Sequence, residues 1–154
     1  MPQVTVRRID FGYFVRPAAE TGTGRPRVEP CLGYLVRHPG GVLLFDTGMG
    51  AHRDVDAHYR PRRTGLTEAL AAPGAALSDV TVAANCHLHF DQCGGNPLLG
   101  QVPVITHAAD QLALRARRDR HAGPLPGVPA WIEVIERFDP RLVYFAHDRS
   151  AWVP

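Results

Sequence analysis

His87, His89 and Asp91 are the residues of this chain best suited to chemistry. They alternate along the run His87-Leu88-His89-Phe90-Asp91-Gln92-Cys93-Gly94-Gly95-Asn96. Imidazoles at i and i+2 project to one side of an extended segment, so both rings can reach one cation. A carboxylate at i+4 joins them, or serves a neighbouring cation, if the chain turns there. Gly94 and Gly95 are expected to permit that turn through backbone angles that a Cβ would forbid. The bland alternative is a strand end with incidental polar residues; the spacing and the glycine pair favour a metal site.

These residues need a scaffold, and the apolar pattern supplies one. Val80–Asn85 reads as a strand that delivers His87 and His89 from its C-terminal end. Val4–Ile9 reads as a short first strand, followed by a loop rich in Gly, Pro and Thr from Arg16 to Pro30. Cys31–Arg37 and Gly41–Phe45 read as strands joined by a turn at His38-Pro39-Gly40. The second of them runs into Asp46-Thr47-Gly48-Met49-Gly50, a polar and glycine-rich segment at a sheet edge, where sites are commonly built. Asp46 there serves a site or merely accepts backbone hydrogen bonds. A polar loop with His52, Asp54, Asp56 and His58 follows, then a short helix over Leu66–Ala72 and a strand over Val102–Thr106. Ala108, Leu112 and Ala116 form a helical stripe that ends in arginines before Gly123-Pro124. Trp131, Ile132, Ile135 and Phe138 mark a second helix that stops before Pro140. Leu142–Ala146 is a last strand, and it hands off to His147-Asp148. The mixture predicts an α/β class.

Composition narrows the function. The 154 residues fit a single domain, 45% hydrophobic and 21% charged, which suits a globular chain with a real core. All 17 basic residues are arginine, and the net charge of +2 is too small and dispersed to predict a nucleic-acid partner. The one basic cluster, Arg115, Arg117, Arg118 and Arg120, reads as a solvated helix end. A partner-docking role for residues 108–122 is the weaker reading. Cys31, Cys86 and Cys93 are odd in number and form no CxxC pair, so no disulfide framework is expected. Cys93 reads as a small buried thiol in preference to a soft metal ligand. There is no apolar run of membrane-spanning length and no signal-peptide pattern, so the expectation is a cytoplasmic protein with no membrane partner.

The strand ending in Asp46-Thr47-Gly48, together with His87-Leu88-His89-Phe90-Asp91, resembles the metallo-β-lactamase superfamily. Within it, the likeness is to the lactonase-like metal-dependent hydrolases, among them enzymes that open N-acyl-homoserine lactones. The family motif reads His-x-His-x-Asp-His before a small residue and glycines. The resemblance implies His87 and His89 as ligands of a first metal ion and Asp91 as a ligand of a second. It implies Asp46 as a carboxylate behind the ligands, and His147, after the last strand, as completing the second ion. It further implies an αβ/βα sandwich, zinc as cofactor, and attack by a metal-activated water on a lactone or ester carbonyl, with Asp91 at the reacting centre.

The departures are equally informative. Gln92 stands where the motif has its second-metal histidine. The family's Thr-Pro-Gly-His histidine has no counterpart between Asn96 and His147, and neither does the aspartate that bridges the two ions. Residues 1 to about 106 resemble the family's N-terminal half, and about 108 to 154 resemble its C-terminal end. The expectation is therefore one internally shortened domain over 1–154, an incomplete αβ/βα sandwich with its junction near Thr106–Ala109. Such a chain binds one or two zinc ions and hydrolyses a small lactone or ester at a reduced rate, or persists as a non-catalytic relic. A shortened sheet leaves an apolar face with fewer partners, so homodimerisation or low stability would follow.

Overall fold

The computed structural model describes residues 4–106 in full, with the strand residues Val143–Tyr144 and Ala151–Trp152. Six strands form one mixed sheet in the order β4-β1-β2-β3-β5-β6. They are β1 (Thr5–Arg16), β2 (Arg27–His38), β3 (Gly41–Phe45), β4 (Arg62–Arg63), β5 (Val82–Asn85) and β6 (Val104–Thr106). β7 (Val143–Tyr144) and β8 (Ala151–Trp152) pair antiparallel as a separate ribbon. Two short helices, α1 (Arg53–Tyr59) and α2 (Leu66–Ala71), lie between β3 and β5. This mixed sheet with few helices is of the α/β class.

β1 and β2 form a long antiparallel pair, Thr5 opposite Arg37 and Arg16 opposite Arg27. Alternation buries Ile9 and Phe11, and continuing it would turn Tyr13 inward. A bulge between Asp10 and Tyr13 breaks the phase, so Phe14 is buried instead and Tyr13 is left outside. Gly12 makes the bulge possible. Its φ is +98°, and a Cβ there would sit 1.9 Å from the Arg62 carbonyl oxygen on β4. β2 is central, and Cys31 to Leu35 are buried on both faces. The core gathers Ile9, Phe11, Leu35, Leu44 and Ala83 from the sheet and Leu66 and Leu70 from α2.

β3, β5 and β6 run parallel, with Phe45 beside Ala84 and Asn85 beside Thr106. Their C-terminal ends therefore share one sheet edge, and loops leaving that edge are where an α/β fold builds its sites. Asp46 follows β3 and Cys86-His87 follows β5, so the topology brings the two motifs together.

Several elements differ from the sequence reading. β1 runs on past Ile9 to Arg16 and β2 begins at Arg27, so the expected 16–30 loop narrows to residues 17–26, with a short 3-10 turn at Ala18–Glu20. The added strand residues, Asp10–Arg16 and Arg27–Pro30, mix charged residues, glycine and proline with the apolar ones, which hides the strand pattern. The expected polar loop holding His52, Asp54, Asp56 and His58 is mostly helix α1, whose residues are all at least partly exposed. β4 was not anticipated, because two arginines give no strand pattern. The strand expected over Leu142–Ala146 is observed as β7. The helices expected after Thr106, the arginine cluster and His147 lie outside the described residues. No helix among the described residues is long and apolar enough to cross a membrane.

Candidate metal centre

β5 ends at Asn85, the chain bends at Cys86, and it turns again from His89. The turn is closed by the His89 carbonyl, which accepts the Gln92 and Cys93 amides at 3.2 and 3.3 Å. Folding back in this way carries Asp91 to the imidazoles. His87, His89 and Asp91 each offer one ligand atom, and these atoms all lie within 4.8 Å of one another. His87 Nε2 is 3.5 Å from Asp91 Oδ1, and the two imidazole rings stand edge to face at 4.6 Å. Donors on a single tetrahedral zinc are about 3.4 Å apart, given bonds of about 2.0–2.1 Å. The donor types fit a divalent cation, and the His87–Asp91 pair stands close to that spacing. His89 is exposed, His87 is half-buried and Asp91 is buried, so the group opens to solvent on one side.

The glycine pair has a different reason from the one expected. Neither Gly94 nor Gly95 adopts a positive φ. What they supply is space: a Cβ on Gly94 would lie 1.8 Å from the Gly50 nitrogen, and one on Gly95 would lie 2.5 Å from the Thr47 carbonyl oxygen. The absence of side chains lets the motif turn lie flat on the loop after β3. Backbone bonds then join the two loops: Thr47 N–H to the Gln92 carbonyl at 2.8 Å, Gly50 N–H to the Phe90 carbonyl at 2.6 Å, and Gly94 N–H to the Gly48 carbonyl at 2.8 Å.

A buried polar clamp reinforces this contact. Asn85 Nδ2 donates to the Gln92 carbonyl at 2.9 Å, and Asn96 Nδ2 donates to Asn85 Oδ1 at 2.7 Å. The Thr47 hydroxyl donates to Asn96 Oδ1 at 2.8 Å and accepts the Gly95 amide at 3.2 Å. The Cys31 thiol on β2 donates to the Asp91 carbonyl at 2.6 Å. Sequence reading assigned Thr47, Asn85, Asn96 and Cys31 no part in the site. Their only signal is the presence of polar residues at strand ends flanking the motif, which many loops share.

Asp46 sits behind the group. It is fully buried, takes a left-handed backbone (φ +64°), and accepts the Cys86 amide through Oδ1 at 2.8 Å. Its Oδ2 is buried and has no hydrogen-bond partner among the described residues. Burial pushes the carboxyl up to about 6, although the Cys86 amide bond pulls the other way. A strained, buried carboxylate with an orphaned oxygen costs stability, and a cation or a protonated ligand nearby would offset that cost. His87 is oriented from the other side: its Nδ1 is 2.9 Å from the Cys86 sulfur. With Nδ1–H donating to sulfur, Nε2 keeps its lone pair for a cation. Cys93, expected to be a buried space-filler, is half-buried and turns its thiol to the His89 carbonyl at 3.0 Å. Gln92 is fully buried.

The group forms one wall of a cavity of about 480 Å³. Phe14, Tyr59 and Phe90 line the same cavity. Tyr59 stacks on Phe90 at 5.2 Å, and Phe14 meets both edge-on. Arg16 lines the same cavity, held by Glu29 through Nε at 2.6 Å and a second guanidinium nitrogen at 3.0 Å. Glu20 fastens the outer wall, accepting from the Tyr59 hydroxyl at 3.1 Å and lying 2.5 Å from His58 Nε2. Arg16 and Tyr59 were not foreseen, because they join the site only through the sheet and α1. The site thus combines cation donors, an apolar aromatic face and a positioned guanidinium.

A sequence profile of the metallo-beta-lactamase superfamily matches residues 26–150. Among solved structures, the chain is similar to an N-acyl homoserine lactone hydrolase with N-hexanoyl-L-homoserine bound at its catalytic metal centre. That match has a TM-score of 0.60 and 23% identity over 70% of this chain and 50% of the other. It is also similar to a mutant of B. thuringiensis AiiA with N-decanoyl-L-homoserine at the active site, with a TM-score of 0.60 and 22% identity over the same shares. A probable metal-dependent hydrolase from Staphylococcus aureus matches with a TM-score of 0.51 and 14% identity, over 60% of this chain and 40% of that one. The chain spans about half the length of the first two, and at these identities the likeness is one of fold.

Proposed function

The chain belongs to the metallo-beta-lactamase superfamily, and from that premise we propose that it is a metal-dependent hydrolase acting on a lactone or ester carbonyl. The observation that carries the reading is the convergence of His87, His89 and Asp91 on the wall of an aromatic-lined cavity. Zinc is the cation that two imidazoles and a carboxylate best suit. When bound, such a cation polarises a carbonyl and lowers the pKa of a water towards about 7.

The chain's own groups do the rest. The Cys86 sulfur and the closed turn at His89 hold the two rings in place, so little reorganisation is needed on loading. Asp91, buried and anchored through its carbonyl by Cys31, is the carboxylate placed to take a proton from the attacking water. The water oxygen adds to the carbonyl carbon, the carbon–oxygen bond to the alkoxide breaks, and the proton passes to that alkoxide, leaving a hydroxy acid. Phe14, Tyr59 and Phe90 would receive the substrate's apolar part and exclude water from it. Arg16 presents a fixed donor to a polar group beyond the carbonyl.

Turnover is expected to be low, because Gln92 replaces a motif histidine. His147 is retained in the proposal as a further ligand, and Asp46 as the carboxylate behind the group. The test is hydrolysis of a simple γ-lactone by zinc-loaded chain, with and without chelator, beside His87→Ala. Turnover that chelator removes and His87→Ala abolishes supports the reading. Turnover insensitive to both contradicts it. A chain that retains no zinc is the non-catalytic relic instead.

A further inference from the structure

The family motif implies two ions, but the geometry of this chain points to one. We propose that His87, His89 and Asp91 grip a single divalent cation, with residue 92 outside the coordination sphere. This rests on the metal-dependent reading above and sharpens it.

Asp91 is the decisive residue. In a two-ion arrangement its carboxylate would serve the second ion, together with residue 92. Here Asp91 Oδ1 lies 3.5 Å from His87 Nε2, close to the spacing of two donors on one tetrahedral ion. Two imidazoles and one carboxylate are enough protein donors for a one-ion hydrolytic site, with the remaining positions left for water and for His147.

Position 92 is outside the cavity lining. Gln92 is fully buried and does not line the cavity that His87, His89 and Asp91 line. Its backbone is pinned: the carbonyl accepts from the Thr47 amide at 2.8 Å, the Asn85 amide group at 2.9 Å and the Thr47 hydroxyl at 3.3 Å. No other donor takes its place among the described residues, where His87, His89 and Asp91 are the one group of three or more His, Cys, Asp or Glu side chains near enough to share an ion. The Cys86 sulfur lies on the Nδ1 side of His87, away from Nε2, and the Cys93 sulfur is turned to the His89 carbonyl. Asp46 gives Oδ1 to the Cys86 amide.

The experiment is equilibrium dialysis of the full chain against buffered zinc, with bound metal read by elemental analysis, for wild type, Gln92→Leu, Gln92→Met and Asp91→Ala. The two replacements at 92 keep the volume and remove the amide, so one of them serves if the other fails to fold. The expected result is one zinc per chain in the wild type and in the foldable position-92 variant, with dissociation constants within about threefold. Asp91→Ala should weaken binding by more than about tenfold. Two zinc ions per wild-type chain, or a position-92 variant that loses a zinc or binds more than about tenfold weaker, overturns the one-ion centre and leaves the hydrolase reading standing. No zinc at all overturns both.

Discussion

The two walls of the cavity are held together by different physics. The inner wall is the motif turn lying on the loop after β3, joined by backbone bonds and by the buried Thr47–Asn96–Asn85 clamp. The outer wall is α1, a helix with no buried residue, fastened through Glu20 to Tyr59 and His58 and through Asp56 to Arg63. Hydrogen bonds in a dry interior are costly to leave half-made, whereas exposed ion pairs exchange with water at small cost. The proposed chemistry therefore sits on the part of the molecule that resists change. The part that would meet variable substrate sits where change is tolerated. Mutations should separate the two walls cleanly.

The largest effect is expected at Gly94. Gly94→Ala places a Cβ against the Gly50 backbone, where no flexible side chain can give way, so the two loops must part. A loss of about 3 kcal/mol or more in denaturant unfolding, with metal affinity falling in parallel, is the expected outcome. A stable Gly94→Ala protein would show that the loop contact is not what holds the inner wall. Thr47→Val comes next. It keeps the shape but strips the partner from the Gly95 amide and from Asn96 Oδ1, and should cost about 1–3 kcal/mol by the same measurement.

Much of this was legible from letters, but unevenly. The alternation of His87, His89 and Asp91 and the apolar run before them predicted that these side chains gather after β5. Asp46 was placed correctly at the end of β3 by the polar and glycine residues that follow. What sequence reading could not see is how the turn is made. The glycines look like a demand for unusual backbone angles, yet the structure uses them for close approach, which depends on a segment 44 residues away. Arg16 and Tyr59 were invisible for the same reason, since a bulge in β1 and a polar helix bring them to the cavity. The bulge is itself a sterically driven phase shift, and no periodicity in the sequence announces it.

Glu29 sharpens the comparison at the root of the outer wall. It is buried, and hydrogen bonding from Arg16, with help from Arg27, holds its carboxyl below the ordinary value of 4.5. A carboxylate whose folded value is depressed stabilises fully above its unfolded value, and that contribution is lost as pH falls through the folded value. Wild-type stability should therefore drop as pH is lowered below 4.5, and Glu29→Gln should flatten that limb in urea titrations. An unchanged acid limb in the variant would assign the loss to other carboxylates. The smallest effect belongs to Glu20→Ala. Deuterium uptake over residues 53–59 should quicken, with no measurable change in melting temperature. A clear fall in melting temperature would mean that the outer wall is as integral as the inner one.

The measurement closest to the central claim is the zinc K-edge absorption spectrum of the loaded full chain. Convergence of His87, His89 and Asp91 predicts a first shell of nitrogen and oxygen at about 2.0–2.1 Å, with the outer-shell scattering of two imidazoles. A shell containing sulfur at about 2.3 Å, or one lacking imidazole scattering, would contradict it.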